Sequence, residues 1–218
     1  MIIVAGDSWG EGRWIDTSTD VGPRWPGFHH YWIHNQLDHA VNVSFGGYSN
    51  HQAVSALDMF LTHKYSCPPA NVIIWLTCVL RDFPVNYEVD NIDTWVQRHY
   101  ENIFDRLVMI AQRYSVQVSI LGGLGDIPRH FPSRLSSNVS IMLHSTSKFL
   151  NPEYNFELPY GHFTLLENIP AGTNRLKVFA DLEKKFDYMQ SRKDIYPDGG
   201  HFGQQSYQKI YDYAKTKI

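Results

Sequence analysis

An α/β sandwich, in which helices cover a doubly wound parallel sheet of about five strands, is the fold class this sequence predicts. Short apolar runs bounded by turn residues alternate with longer segments of helical spacing. The runs are apolar at nearly every position, as strands buried on both faces require. At 218 residues the chain suffices for one domain with a full hydrophobic core, so 1–218 reads as a single unit.

The expected strands are Ile2 to Ala5, Ala40 to Phe45, Asn71 to Thr77, Val116 to Leu121 and Val139 to Leu143, several of them rich in β-branched residues. Between them, Phe28 to Leu37, Asn50 to Thr62 and Asn91 to Tyr114 place apolar residues three and four apart. In the last, Ile92, Trp95, Val96, Ile103, Leu107 and Ile110 form one stripe, and Asp90 or Asn91 caps its start. Two more helices are expected over Asn174 to Gln190 and Gln204 to Lys215. The stretch from Gly122 to Thr173 is rich in Pro, Ser, Asn and Gly and reads as an irregular lid or binding insertion.

A formal charge of -3 leaves no basic excess to neutralise a phosphate backbone, so a nucleic-acid partner is not expected. Two cysteines, Cys67 and Cys78, do not make a disulfide scaffold. The apolar opening Met1 to Ala5 is too short for a signal h-region or a membrane span, so a cytoplasmic setting and no membrane partner are expected.

The chemistry concentrates near the two ends. Gly6-Asp7-Ser8 follows the first strand directly, and Asp198-Gly199-Gly200-His201 precedes the last helix. Ligands of an open parallel sheet bind beyond the carboxyl ends of its strands, which is where Ser8 falls. A serine hydroxyl becomes a useful nucleophile when a histidine takes its proton, and a carboxylate holds that imidazole in the right tautomer. Ser8, His201 and Asp198 supply the three groups. Taken singly, the first segment is also a plain turn with an N-capping Asp or Ser, and the second a Pro-Asp-Gly-Gly turn in a chain of eleven histidines.

Together these segments resemble the GDSL or SGNH hydrolases, which carry Gly-Asp-Ser after the first strand and Asp-x-x-His before the last helix. The likeness spans most of the chain in separated blocks. It implies a flavodoxin-like three-layer fold, an esterase, lipase, acetylhydrolase or carbohydrate deacetylase activity, an acyl-enzyme intermediate and no cofactor. A further block, in which an Asn is followed five residues on by an oxyanion-hole Gly, is similar to Asn42 to Gly47. By that likeness Ser8 is the nucleophile, Gly47 and Ser8 supply oxyanion-hole amides, His201 is the base and Asp198 its partner. The family's Gly-x-Asn-Asp block is missing: Leu76 to Asp82 contains no asparagine. Losing one oxyanion donor costs about 3–4 kcal/mol of transition-state stabilisation. Thr77, Arg81 and Asn50 are the candidates to replace it. Arg81 is alternatively a specificity residue for an acidic substrate or half of a surface ion pair with Asp82.

The substrate expected is a small-molecule or glycan acyl ester. Trp9, Trp14 and Trp25 flank the nucleophile loop and offer a platform for a sugar ring, or else pack beneath the loop. A rival reading is an SGNH-like domain impaired by the altered block and serving as a glycan- or protein-binding module. Another is a flavodoxin-like binder whose first loop cradles a phosphate, which leaves Asp198 and His201 without a task. The elbow motif Gly-x-Ser-x-Gly is also met by Gly6 to Gly10, but an elbow at residue 8 leaves no room for the several strands and the oxyanion loop expected upstream of it. His29, His30, His34 and His39 cluster, yet no acidic residue stands between His30 and His34 in a His-Glu-x-x-His arrangement, so they fit a histidine-rich helix better than a metal site.

Overall fold

A computed structural model describes residues 1–11, 40–63, 71–83, 91–160, 175–197 and 200–218. Five strands, β1 (Ile2–Ala5), β2 (Ala40–Asn42), β3 (Asn71–Leu76), β4 (Gln117–Gly122) and β5 (Val139–Leu143), form one sheet in the order β2-β1-β3-β4-β5. Every pairing is parallel, with Ile2 opposite Ala40 on one side and Asn71 on the other. All of β1 and Val72 through Leu76 of β3 are buried, so both faces of the sheet are covered. The helices are α1 (Ser8–Glu11), α2 (Asn50–His63), α3 (Ile92–Tyr114), α4 (Thr146–Leu150), α5 (Arg175–Ser191) and α6 (Gln204–Lys215), with a 3₁₀ turn at Val79–Asp82. This is the expected α/β fold.

The crossovers from β2 to β3 and from β3 to β4 step across the sheet in the same direction. Right-handed connections therefore put α2 and α3 on one face. They pack side by side, Tyr114 Oη meeting Asp58 Oδ1 at 3.0 Å and Arg106 Nη2 meeting Ser55 Oγ at 3.0 Å. Asn91 caps α3, its Oδ1 accepting from the N–H groups of Asp93 and Thr94 at 2.8 and 3.1 Å. The α3 stripe is buried at Ile92, Val96, Ile103, Leu107 and Ile110, whereas Trp95 stays half-buried, stacked on His99.

In the stretch expected to be irregular, described as far as Tyr160, Val139 to Leu143 is the edge strand β5 and α4 follows it. The rest is tied down from within. Asp126 Oδ2 accepts from Tyr154 Oη at 2.8 Å and Leu158 N at 3.0 Å, and pairs with Lys185 Nζ of α5 at 3.5 Å. The expected helix Phe28 to Leu37, with His29, His30, His34 and His39, lies outside the described residues, as do Cys67 and Gly161 to Thr173. Among the described residues no helix is long and apolar enough to cross a membrane, and no group of three or more His, Cys, Asp or Glu is placed to hold a metal ion.

Candidate active site

The strand order reverses direction between β1 and β3, and in such sheets a crevice opens at the carboxyl ends of those two strands. β1 ends at Ala5 and the chain turns at Gly6, whose φ of +141° suits glycine. A Cβ there would sit 2.8 Å from Trp75 Cβ and 2.9 Å from Trp75 O, so the turn presses directly against β3. Asp7 then caps α1: its Oδ1 accepts the Trp9 N–H at 3.0 Å, fixing the first turn on which Ser8 stands. Ser8 is 9% exposed.

His201 Nε2 lies 3.0 Å from Ser8 Oγ, bridging 193 residues of chain. The hydroxyl donates this bond when that nitrogen carries no proton, the arrangement a general base requires. Burial of the neighbouring residues brings the pair together. Trp9, next to the serine, packs edge-on against Phe202, next to the histidine, with ring centroids 4.2 Å apart. Phe202 also meets Trp75, Tyr196 and Tyr207, forming an aromatic box under the crevice. Trp9 and Phe202 are 2% and 0% exposed. Trp9 therefore packs beneath the loop and offers no face to a ligand, contrary to the platform role. Trp14, Trp25 and Asp198 lie outside the described residues.

The loop after β2 runs alongside. Asn42 Oδ1 accepts from Ser44 N at 2.9 Å, ending the strand three residues before Phe45, while Phe45 N donates to Gly6 O at 3.1 Å. Gly46-Gly47 follows as a turn, with φ +89° at Gly47 and open space where its Cβ would be. Phe45 is 59% exposed and its ring leans against that of half-buried Tyr48, centroids 5.3 Å apart, so among the described residues this pair contributes aromatic surface at this edge.

Two of the candidate replacements for the missing asparagine turn out to serve the scaffold. Asn50, fully buried, clasps one residue at both ends: Oδ1 accepts from Thr77 N at 2.7 Å and Nδ2 donates to Thr77 O at 3.3 Å. Its amide is spent on holding the end of β3, which corrects its reading as an oxyanion donor. Arg81 pairs with Asp7 across 74 residues and does not pair with its neighbour Asp82. Thr77 Oγ1 is buried and has no hydrogen-bond partner among the described residues.

Asp82 belongs to a cluster behind this clasp that the sequence did not flag. Its carboxylate accepts from His51 N at 3.3 Å and lies 3.4 Å from His99 Nε2, which is also 3.3 Å from Asn50 Nδ2. A neutral His99 serves these neighbours one at a time, donating to Asp82 or accepting from Asn50 according to tautomer. Burial pushes the His99 pKa down to about 4; the Asp82 charge works against that shift and His51 adds to it. The unfolded chain binds a proton here near pH 6.5 and the folded one near 4. Stability therefore falls as pH drops through that window, by about 2 kcal/mol at pH 5. A His99→Gln variant is expected to lose about 2 kcal/mol less than the wild type between pH 7 and pH 5 in urea unfolding. Parallel losses in the two proteins would remove His99 as the source.

No family model matches the chain, and no curated protein matches it. Among solved structures it is similar to TesA, at 15% identity with 99% of this chain aligned to 96% of that one and a TM-score of 0.45. It is also similar to the psychrotrophic esterase EstA from Pseudoalteromonas sp. inhibited by monoethylphosphonate, at 16% identity with 99% of this chain aligned to 94% of that one and a TM-score of 0.44.

Proposed function

We propose that the chain is a serine esterase or deacetylase of the SGNH type, hydrolysing an acyl ester of a small molecule or glycan. The observation that supports this is the 3.0 Å contact between Ser8 Oγ and His201 Nε2 at the carboxyl end of β1. In the reaction His201 takes the Ser8 proton as Oγ attacks the ester carbonyl. The resulting oxyanion is met by the backbone N–H groups of Ser8 and Gly47. α1 is only four residues long, so its first amides, Ser8 included, have no acceptor within the helix. The tetrahedral species collapses, the C–O bond to the alcohol breaks, and His201 returns the proton to the departing oxygen. Water then repeats the sequence on the acyl-enzyme and releases the acid.

Asp198, three residues before His201, is the carboxylate assigned to orient the imidazole, on the strength of its spacing and of the family likeness. For a side-chain oxyanion donor, Thr77 Oγ1 is the remaining candidate, a hydroxyl at the end of β3 with no acceptor among the described residues. The exposed Phe45 ring and the half-buried Tyr48 ring offer apolar area beside the Gly47 turn for the acyl or alcohol portion.

A fluorophosphonate, which reacts with an activated serine and not with an ordinary one, is expected to label the protein. Peptide mass mapping should place the adduct on Ser8. An adduct elsewhere, or none, would withdraw the proposal.

A further inference from the structure

Arg81 stands where three segments meet. Its Nη1 donates to Asp7 Oδ2 at 2.9 Å and to the Tyr48 carbonyl at 3.1 Å, so a single nitrogen ties the loop of Ser8 to the loop of Gly47. The Asp7 side chain is 1% exposed, and its second oxygen takes the Trp9 N–H. A carboxylate removed from water keeps its charge at tolerable cost only when it is paired and hydrogen-bonded. This one sits on the residue adjoining Ser8, close to where acyl transfer places negative charge on the former carbonyl oxygen. An uncompensated Asp7 would oppose that charge; a compensated one orients the first turn of α1 without doing so.

The geometry points to Arg81 as a positioning residue of the acyl-transfer centre, one that cancels the Asp7 charge and sets the spacing between the loops bearing the Ser8 and Gly47 amides. The inference rests on the hydrolase reading. It differs from a guanidinium that grips an acidic substrate, because Nη1 is turned inward onto the protein's own carboxylate and carbonyl. The altered block after β3 thus carries a cation in the first turn beyond the position where a side-chain donor is missing.

The test compares wild type, Arg81→Met, Arg81→Lys and the double variant Asp7→Asn/Arg81→Met, using the rate of Ser8 labelling by a fluorophosphonate together with kcat and KM for p-nitrophenyl acetate. Arg81→Met is expected to lose roughly 30- to 100-fold in labelling rate and kcat with KM changed by about twofold or less. Arg81→Lys, which keeps a charge and a donor, should recover part of that loss. The double variant should recover about tenfold or more, since the orphaned charge is gone while the Asn oxygen still accepts from Trp9. Equal labelling of Arg81→Met and wild type overturns the inference and leaves the hydrolase reading standing. A loss that the double variant fails to relieve also overturns it, because a mere strut is not rescued by removing charge. Should Arg81→Met not fold, the double variant decides: labelling within about fivefold of wild type supports the charge role, and a loss of roughly 30-fold or more defeats it. Absence of Ser8 labelling in the wild type removes the hydrolase reading and this inference together.

Discussion

The Ser8→Ala variant is expected to hydrolyse p-nitrophenyl acetate on the order of 10³-fold more slowly than the wild type, or not measurably above background. On the proposed mechanism the hydroxyl forms the covalent bond, and its oxygen lies 3.0 Å from His201 Nε2. His201→Ala should lose a comparable amount, and the double variant little more than either, because nucleophile and base act as one unit. The fold should be nearly untouched. The cap of α1 is made by Asp7 and Trp9, and the aromatic box by Trp9, Phe202 and Trp75, none of which the change removes. Thermal unfolding within about 1 kcal/mol of wild type is the control. Full activity in the Ser8→Ala protein would take the serine out of the mechanism.

The largest stability effect is expected at Lys185. Its side chain is 1% exposed, paired with Asp126 at 3.5 Å, with Nζ donating to the carbonyls of Leu124, Leu158 and Tyr160 at 2.9, 3.5 and 3.4 Å. These contacts hold the segment from Leu124 to Tyr160 against α5. Pro159, within that segment, accepts from Val79 N at 3.1 Å and so braces the turn after β3. Lys185→Met retains the bulk but leaves a buried carboxylate with no cation and three carbonyls without this donor. The cost is expected to be about 3–5 kcal/mol in urea unfolding followed by tryptophan fluorescence. Adding Asp126→Asn should return about 1–2 kcal/mol, since the amide still accepts from Tyr154 and Leu158 and carries no charge. If single and double variants are equally unstable, the loss is one of packing and not of an orphaned charge.

The strands were legible because strands covered on both faces need apolar residues at every position, a signal that survives without knowing the partner strands. Ile2 to Ala5 and Val139 to Leu143 match the observed bounds, as does the helix Gln204 to Lys215. β2 stops at Asn42 and not at Phe45 because the Asn42 side chain captures Ser44 N, a local competition that apolarity does not report. The four-residue α1, the 3₁₀ turn at Val79–Asp82 and the five-residue α4 are too short to show a period. Ser8 and His201 were legible as a pair because reaction chemistry demands both. The roles of Trp9, Asn50 and Arg81 are not legible in the sequence because their protein partners lie far along the chain: Phe202 for the first, Thr77 for the second, Asp7 for the third. A fully buried polar or aromatic side chain and one lining a crevice look alike until those partners are known.

The aromatic box has a temporal corollary. During synthesis the Ser8 hydroxyl emerges 193 positions ahead of the imidazole that contacts it, and Trp9 emerges equally far ahead of the ring that docks on it. A nascent chain, or a fragment, that ends before His201 and Phe202 has neither contact, and on the proposed mechanism its serine has no base. Because His201 and Phe202 are adjacent, docking of the Phe202 ring in the box brings the imidazole to Ser8 as well.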